Sequence, residues 1–568
     1  MPRGDGRRGR DGRREPLVDR DLARLLVAGG SWYATDVTSL LTVSVMAFDL
    51  GGPGAVGLVG AMRMLPTAVL GGAVGVADRF PRPRVVAAVN AALVLVAATM
   101  AVLAHTGGSV AALTLVVAVG AALSVPLRPS LQAMLPQLAR RPQDLARVNS
   151  AYSTVTSIGS VLGPALGGAL LAARGAVPVW LVLAAAYAVT AVVSATIRTP
   201  FQPARRTGAG GRWGAAWTVP FLGLRAFAAS GARVLFALFM VQRVMLGMVN
   251  VFVVLYAHDV AGSDGDALSG GFFTAIGAGG LLGSVLSFAA SGRRGRVWFA
   301  VGIALWGLPV AVLGAAAGTA AGGGVAGLVA FTAVGVGTAL AGIFGYSLVH
   351  RLLPDHLAGR GWGAFHSVGA IAVALGSLGA PVLVDLLGLP GAMLASGLVV
   401  TVAPLVCTSG LRALEAATTP RPQDVELLGR VGVLAPLPRL TLERLACAAD
   451  RREVGSGVPV VRERAAAEEF FVVESGALVV RRETVDVRRL GPGDAFGEVA
   501  LLRSVPRTAT VLTTAPSVLL SLRREDFVAT VTGHRPTDTG AEGAVSELLA
   551  ADARRGAGAP GRPPRPGG

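Results

Sequence analysis

Between Leu22 and Leu414 the chain repeats one pattern, an apolar run followed by a short polar break. Each run is about 20 residues or longer, enough to cross a hydrocarbon core as a helix. In lipid a spanning segment must satisfy its own amides, so a run of this kind forms a helix. Runs fall near 22–49, 54–77, 84–104, 109–135, 148–173 and 178–197. Six more follow near 233–257, 266–290, 296–316, 322–350, 361–385 and 390–412. The pattern predicts an all-α membrane domain of twelve transmembrane helices in two six-helix halves. Composition agrees, with 15% charged residues and a mean hydropathy of +0.61, against about 25% charged in soluble domains.

Charge placement orients the bundle. The breaks "DRFPRPR" (78–84), "ARRPQDLAR" (139–147), "RTPFQPARRTGAGGR" (198–212), "GRRGR" (292–296) and "RLLPDHLAGR" (351–360) are Arg-rich. The alternate breaks "GGPG" (51–54), "HTGGS" (105–109), "HDVAGSDGD" (258–266), "GTAAGGG" (318–324) and "DLLGLPG" (385–391) have no Arg, and 173–177 has only Arg174. Basic loops stay on the cytoplasmic side, so both termini are expected in the cytoplasm of a bacterial inner membrane. The formal charge of +17, carried by Arg without Lys, is explained by topology rather than by nucleic-acid binding. Residues 1–20 lack the apolar core of a signal peptide and read as a disordered basic arm. Cys407 and Cys447 have no metal or disulfide spacing and read as small buried fillers.

The halves, 21–198 and 230–414, echo one another across a cytoplasmic linker at 199–229. "LPQLARRPQDLARVNSAY" (135–152) and "LPDHLAGRGWGAFHSV" (353–368) occupy the same place in each, followed by "GSVLGPALGG" (159–168) and "GSLGAP" (376–381). Such internal repeats build many secondary transporters. "GVADRFPRPR" (75–84) resembles the G-x-x-x-D-R-x-G-R-R motif of the major facilitator superfamily. Asp78, Arg79 and Arg82 fit in place, Gly75 and Arg84 are displaced by one position, and Pro81 replaces the second Gly. "GSVLGPALGG", with Gly159, Gly163, Pro164, Gly167 and Gly168, resembles the family's Gly-Pro motif, often seen in antiporters. The drug- and siderophore-exporter branch is the most similar. The resemblance implies a gating latch at 75–84 and close helix packing at 159–168. "SGRRGRVW" (291–298) lacks the Asp, so the latch is expected on one half only.

Ionisable groups inside spans are functional candidates by default. Asp36 lies in the first run, Arg63 in the second and Arg243 in the seventh, near Gln242 and Asn250. Two readings stand open. Asp36 carries a coupling proton, or these groups are satisfied pairs that fix helix packing. The remaining runs predict a cavity lined by Ala, Gly, Val, Thr and Ser with few aromatics, suited to a hydrophobic or amphipathic solute.

After Arg412 the character changes. "EAATTPRPQDVELL" (415–428) reads as a polar, helix-prone linker, and 427–454 as a helical pair. "GVPVVRE", "FFVVESGALVVRRE" and "VDVRRLGPGD" alternate with period two and end in Gly turns, the signature of antiparallel strands. "SVLLSLRREDFVATV" (517–531) reads as a strand entering a helix. The expected fold is a β-roll with flanking helices over 429–545, before a disordered tail at 546–568. From "LLGRVGVLAPLP" through "LGPGDAFGEVALL" to "PRTATV" and "LRREDF", this region resembles a cyclic nucleotide-binding domain. The resemblance implies an anion site built from Gly497, Glu498, Val499, Ala500, Arg507, Thr508 and Ala509. Glu498 matches the carboxylate that accepts from the ribose 2′-hydroxyl, and Arg507 the guanidinium that pairs with the cyclic phosphate. The position of Thr508 often carries Thr in cyclic GMP binders. The ligand implied is cyclic AMP or cyclic GMP. The turn "RERAAAEEF" (462–470) lacks the family's glycines and is expected away from the phosphate, and 541–556 is the candidate lid helix.

The combined reading is a secondary transporter, an exporter of a small solute, with a cytoplasmic nucleotide-sensing domain. A non-transporting membrane sensor or scaffold, or a transporter with a ligand-free relic domain, is the alternative. No voltage-sensor repeat, helix-turn-helix, metal spacing or nucleophile constellation points to a channel, a DNA-binding regulator or an enzyme, and no other cofactor is expected.

Overall fold

The computed structural model describes residues 20–70, 80–138, 144–199, 233–289, 295–316, 323–352, 355–418 and 420–532. Contacts divide the chain into two units, Met1–Arg412 and Ala413–Gly568.

The first unit is helical. Arg20–Leu70 runs for 51 residues, which at 1.5 Å per residue would be about 76 Å, more than twice the hydrocarbon thickness. It holds two spans and folds back at Gly51 and Gly52, where Gly52 takes φ +62°, a left-handed value that glycine adopts without Cβ strain. Asp355–Val406 is 52 residues long and reverses in the same way at Gly388, φ +72°. Arg82–Thr106, Leu145–Arg174 and Ala176–Ala195 are each long and apolar enough to cross once. So are Arg233–Ala261, Gly265–Ala289, Gly295–Ala315 and Gly323–Leu352. The fourth span departs from the continuous run expected at 109–135. It is broken into Val110–Ser124 and Leu127–Leu138, because Pro126 has no amide to continue the ladder. Among the described residues the total is twelve spans. Large apolar side chains such as Leu95, Leu115, Val192, Leu386 and Val406 are exposed on the bundle, as a lipid-facing surface requires.

The internal repeat is visible in the packing. A Cβ on Gly159 would lie 2.5 Å from the carbonyl oxygen of Gly30, and one on Gly163 would lie 2.5 Å from that of Ala34. The fifth span therefore rests backbone to backbone on the first. In the second half, Gly247 meets Val373 and Ser377, and Gly376 meets Val244, so the eleventh span rests on the seventh. The halves join through the second and fifth spans of each. Gly168 of the fifth abuts Gly270 of the eighth, and Gly57 of the second abuts Ser377 and Pro381 of the eleventh. Small residues permit this approach where lipid gives helices no hydrophobic reason to associate. Cys407 and Cys447 are not joined in a disulfide and are only partly buried, contrary to their reading as buried fillers.

The second unit has two antiparallel four-stranded sheets. One has the order β1 (Asp450–Val454), β8 (Ser517–Arg523), β3 (Glu469–Ser475), β6 (Ala495–Phe496). The other has the order β2 (Pro459–Val461), β7 (Thr510–Thr513), β4 (Leu478–Arg482), β5 (Val485–Leu490). Period-two alternation sorts β3. Phe471 and Val473 join Leu478, Leu490, Phe496, Val511 and Leu519 in one core cluster. Phe470 and Val472 join a second cluster with Leu428, Leu434, Leu501, Leu520, Leu522 and Phe527. Phe470 stacks on Phe527 at 4.2 Å between centroids. One sequence reading changes here. The helical pair expected at 427–454 ends at Ala448, and Asp450–Val454 is strand β1. The helix-prone linker 415–428 contains most of helix Pro422–Arg430, whose Leu428 is fully buried.

Candidate functional site

Each unit carries a site. In the second unit, β6 delivers the chain into Gly497, φ +94°, which caps the short helix Glu498–Leu502. A side chain at Gly497 would strike the Arg507 guanidinium, so glycine is required by conformation and by space. The first amides of the helix have no intrahelical acceptor. Ala500 is buried, while Glu498 and Val499 are partly exposed at the helix start.

Arg507 closes the site. Its backbone is held on both sides, with its amide donating to the Ala465 carbonyl at 2.9 Å and its carbonyl accepting from the Arg464 amide at 2.7 Å. Its side chain donates from Nη1 to the Gly497 carbonyl at 3.2 Å and from Nη2 to the Glu469 carbonyl at 2.5 Å. The residue is 5% exposed, and its Nε is buried without a hydrogen-bond partner. Burial pulls the guanidinium pKa down from its usual value, and the charges of Glu469 and Glu498 oppose the shift. The turn 462–468 grips the Arg507 backbone through Arg464 and Ala465, with Arg464 at φ +66°. Thr508 is exposed beside Arg507, and Ala509 is half-buried. The lid candidate 541–556 lies outside the described residues.

In the first unit a cavity of about 710 Å³ opens between the halves. Trp32, Asp36, Ser39 and Val43 line it from the first span, at the three- and four-residue spacing of one helix face. Asp36 and Arg63 form an ion pair at 2.5 Å. The same guanidinium also donates to the Asp36 carbonyl at 2.9 Å and to Ser39 Oγ at 3.2 Å. Asp36 remains half-exposed, while Arg63 is largely covered.

The other in-span candidates are placed differently. Gln242, Arg243 and Asn250 are not among the cavity-lining residues. Gln242 is buried. Arg243 donates to Tyr346 Oη at 3.1 Å and sits 5.8 Å over the Phe365 ring. The wall is also richer in aromatics than expected, with Trp32, Trp180, Tyr187 and Trp362, alongside Arg128, Gln132 and His366. Arg128 and His366 carried a readable signal, an ionisable group within an apolar run. The tryptophans carried none, because nothing in a hydrophobic run says which residues face inward.

Of the expected latch, Gly75, Asp78 and Arg79 lie outside the described residues. Arg82 donates to the Ala133 carbonyl at 2.9 Å, tying the third span to the fourth, and Arg84 is exposed. In the packing motif, Gly167 meets Thr38, and Pro164 lies inside the helix with its carbonyl near Gly270.

Twelve spans in two repeated halves around a central cavity define a membrane transporter fold. The chain belongs to the Major Facilitator Superfamily, whose sequence profile matches residues 24–377, more than half of it. Residues 451–534 match the cyclic nucleotide-binding domain. Among solved structures, the nucleoside transporter NupG aligns with a TM-score of 0.55 at 15% identity, covering 70% of this chain and 99% of that one. At that identity the likeness concerns the fold alone. A cAMP-dependent protein kinase regulatory subunit from Yarrowia lipolytica is 41% identical over 76 residues, 13% of this chain and 20% of that one. The cGMP-dependent protein kinase egl-4 from Caenorhabditis briggsae is 33% identical over 112 residues, 18% of this chain and 15% of that one. The chain thus spans a fifth or less of these curated relatives.

Proposed function

We propose that the protein is a secondary active transporter, an exporter of a small hydrophobic or amphipathic solute, whose C-terminal domain binds cyclic AMP or cyclic GMP. The single observation that carries the ligand reading is Arg507. A guanidinium 5% exposed, with a buried donor unmatched, is a costly arrangement that a bound anion relieves. Gly497, Glu498, Val499, Ala500 and Arg507 supply what a cyclic phosphate and a ribose hydroxyl need, a planar cationic fork, the amides of a helix start and a carboxylate. The similarity to one relative named for cAMP and another named for cGMP supports either nucleotide. Thr508 tilts the reading toward cyclic GMP, since a hydroxyl there accepts from the guanine amino group.

Export by antiport rests on the Gly-Pro motif and on Asp36 as the proton carrier, half-exposed to the cavity and held by Arg63. The Arg-rich breaks support a bacterial cytoplasmic membrane with both termini inside. Nucleotide regulates transport only if it binds one transport state better than the other. The test is a titration of full-length protein in lipid nanodiscs with each nucleotide, followed by solute flux in proteoliposomes at saturating nucleotide. Saturable binding lost in Arg507→Ala, with a change in flux, supports the reading. Absence of binding to the folded protein makes the domain a relic, and binding without any effect on flux removes the regulatory role.

A further inference from the structure

The charge balance of the central cavity points to the class of solute, an inference that rests on the transporter reading. Among the described residues, the cavity lining holds one carboxylate, Asp36, and two guanidinium groups, Arg63 and Arg128. Asp36 and Arg63 neutralise each other. Arg128, just past the break in the fourth span, makes no hydrogen bond or ion pair with any described residue. Two titratable groups that feel its charge, Tyr152 and His366, carry no negative charge at neutral pH. An ionised group at membrane depth is tolerated where it is paired or wet. When the cavity closes around its cargo and water leaves, the lining offers Arg128 no counter-charge among the described residues.

The rest of the wall describes what brings that charge. Trp32, Trp180, Trp362 and Tyr187 present ring surface, and Val43, Leu93, Met100 and Val117 fill the space between. At about 710 Å³ the space suits a drug-sized molecule, within the roughly 300–1,000 Å³ of ligand pockets. We propose that the transported solute is an aromatic organic anion. Its ring system lies against the tryptophans and its carboxylate, sulfonate or phosphate pairs with the Arg128 fork, a geometry that Lys would serve less well.

The test uses full-length protein in nanodiscs and quenching of intrinsic Trp fluorescence. The probes are matched sets: 2-naphthoate against 2-naphthamide, 2-naphthalenesulfonate against its sulfonamide, and 2-naphthyltrimethylammonium as the cation. Expected is an anion binding at least about tenfold tighter than its neutral partner. That preference vanishes in Arg128→Gln and survives in weakened form in Arg128→Lys, with both variants keeping the parent melting transition. Equal binding of anion and neutral partner, preference for the cation, no binding by any probe, or an anion preference untouched in Arg128→Gln overturns the inference. Proteoliposome flux separates the two readings. An anion bound through Arg128 but never moved refutes transport and leaves the site. A solute moved without regard to charge refutes the site and leaves transport.

Discussion

Replacing Arg507 with Ala tests the nucleotide site at its most connected residue. Two losses follow and can be worked separately. A bound cyclic phosphate loses a charge-assisted pair worth about 1.5–3 kcal/mol, a fall in affinity of roughly 10- to 150-fold at 1.4 kcal/mol per decade. The folded domain loses the donors to the Gly497 and Glu469 carbonyls, each worth about 1 kcal/mol net, more if the carbonyl stays dry. Against this, the variant no longer buries a guanidinium whose pKa burial already depresses. The expected net destabilisation is therefore about 1–2 kcal/mol, a drop of several degrees in the melting temperature of a domain this size. Arg507→Lys keeps the charge, but one ammonium cannot serve two carbonyls and a phosphate with planar geometry. It is expected to bind nearly as poorly as Arg507→Ala. The assay pairs isothermal titration of full-length protein with the melting curve of each variant. If Arg507→Ala binds within about twofold of the parent while melting at the parent temperature, the guanidinium is not the anion partner and the reasoning fails.

Asp36→Asn removes the carboxylate that pairs with Arg63 and is expected to cut proton-driven flux at least about tenfold and flatten its pH dependence. Unchanged gradient-driven flux would leave the pair as packing only. Gly163→Leu places a side chain where a Cβ already lies 2.5 Å from the Ala34 carbonyl and 2.9 Å from Thr38 Oγ1. Separating those helices costs about 1–3 kcal/mol or more, read as a lower melting temperature and a smaller monodisperse fraction, and a variant as stable as the parent refutes the contact. Thr508→Ala is expected to weaken cyclic GMP about 3- to 10-fold, the worth of one hydrogen bond, and to leave cyclic AMP unchanged; equal effects on both would show that Thr508 only supports the loop.

The spans were legible because lipid leaves the backbone few options, and the reversals at Gly51–Gly52 and Gly388 coincide with polar breaks that composition marks. The kink at Pro126 was overlooked because it lies inside an apolar run, where hydropathy sees no boundary. Strand β1 escaped because "DRREV" is charged and largely exposed along its length, so it shows no alternation. The cavity was the least readable part. Which face of a helix turns inward depends on packing between helices far apart in sequence. Asp36 and Arg243 gave the same signal, a charge inside a span. Tertiary packing then set Asp36 on the cavity and Arg243 against Tyr346 and Phe365.

The proposed regulation needs a physical route out of the nucleotide site, and the core of the second unit contains one. Ala500, Leu501 and Leu502 of the short helix at the site pack in the same cluster as Phe527, Leu445 and Leu428. Arg524 adds a polar tie, donating to Ser504 Oγ at 2.7 Å beside that helix. Leu428 lies on helix Pro422–Arg430, close in sequence to the end of the membrane unit. A ligand that draws the short helix inward therefore acts on a cluster that also holds the segment leading to the transporter. Packed cores shift between discrete arrangements rather than deforming continuously. A tenfold effect on transport requires about 1.4 kcal/mol of coupling. Leu428→Ala removes a fully buried side chain at a cost of about 2–5 kcal/mol, comparable to or larger than that coupling, and leaves the Arg507 contacts in place. The expected variant still binds nucleotide, within about tenfold of the parent, but its flux no longer responds. A response that persists at full size in the folded variant would show that the signal does not pass through this cluster.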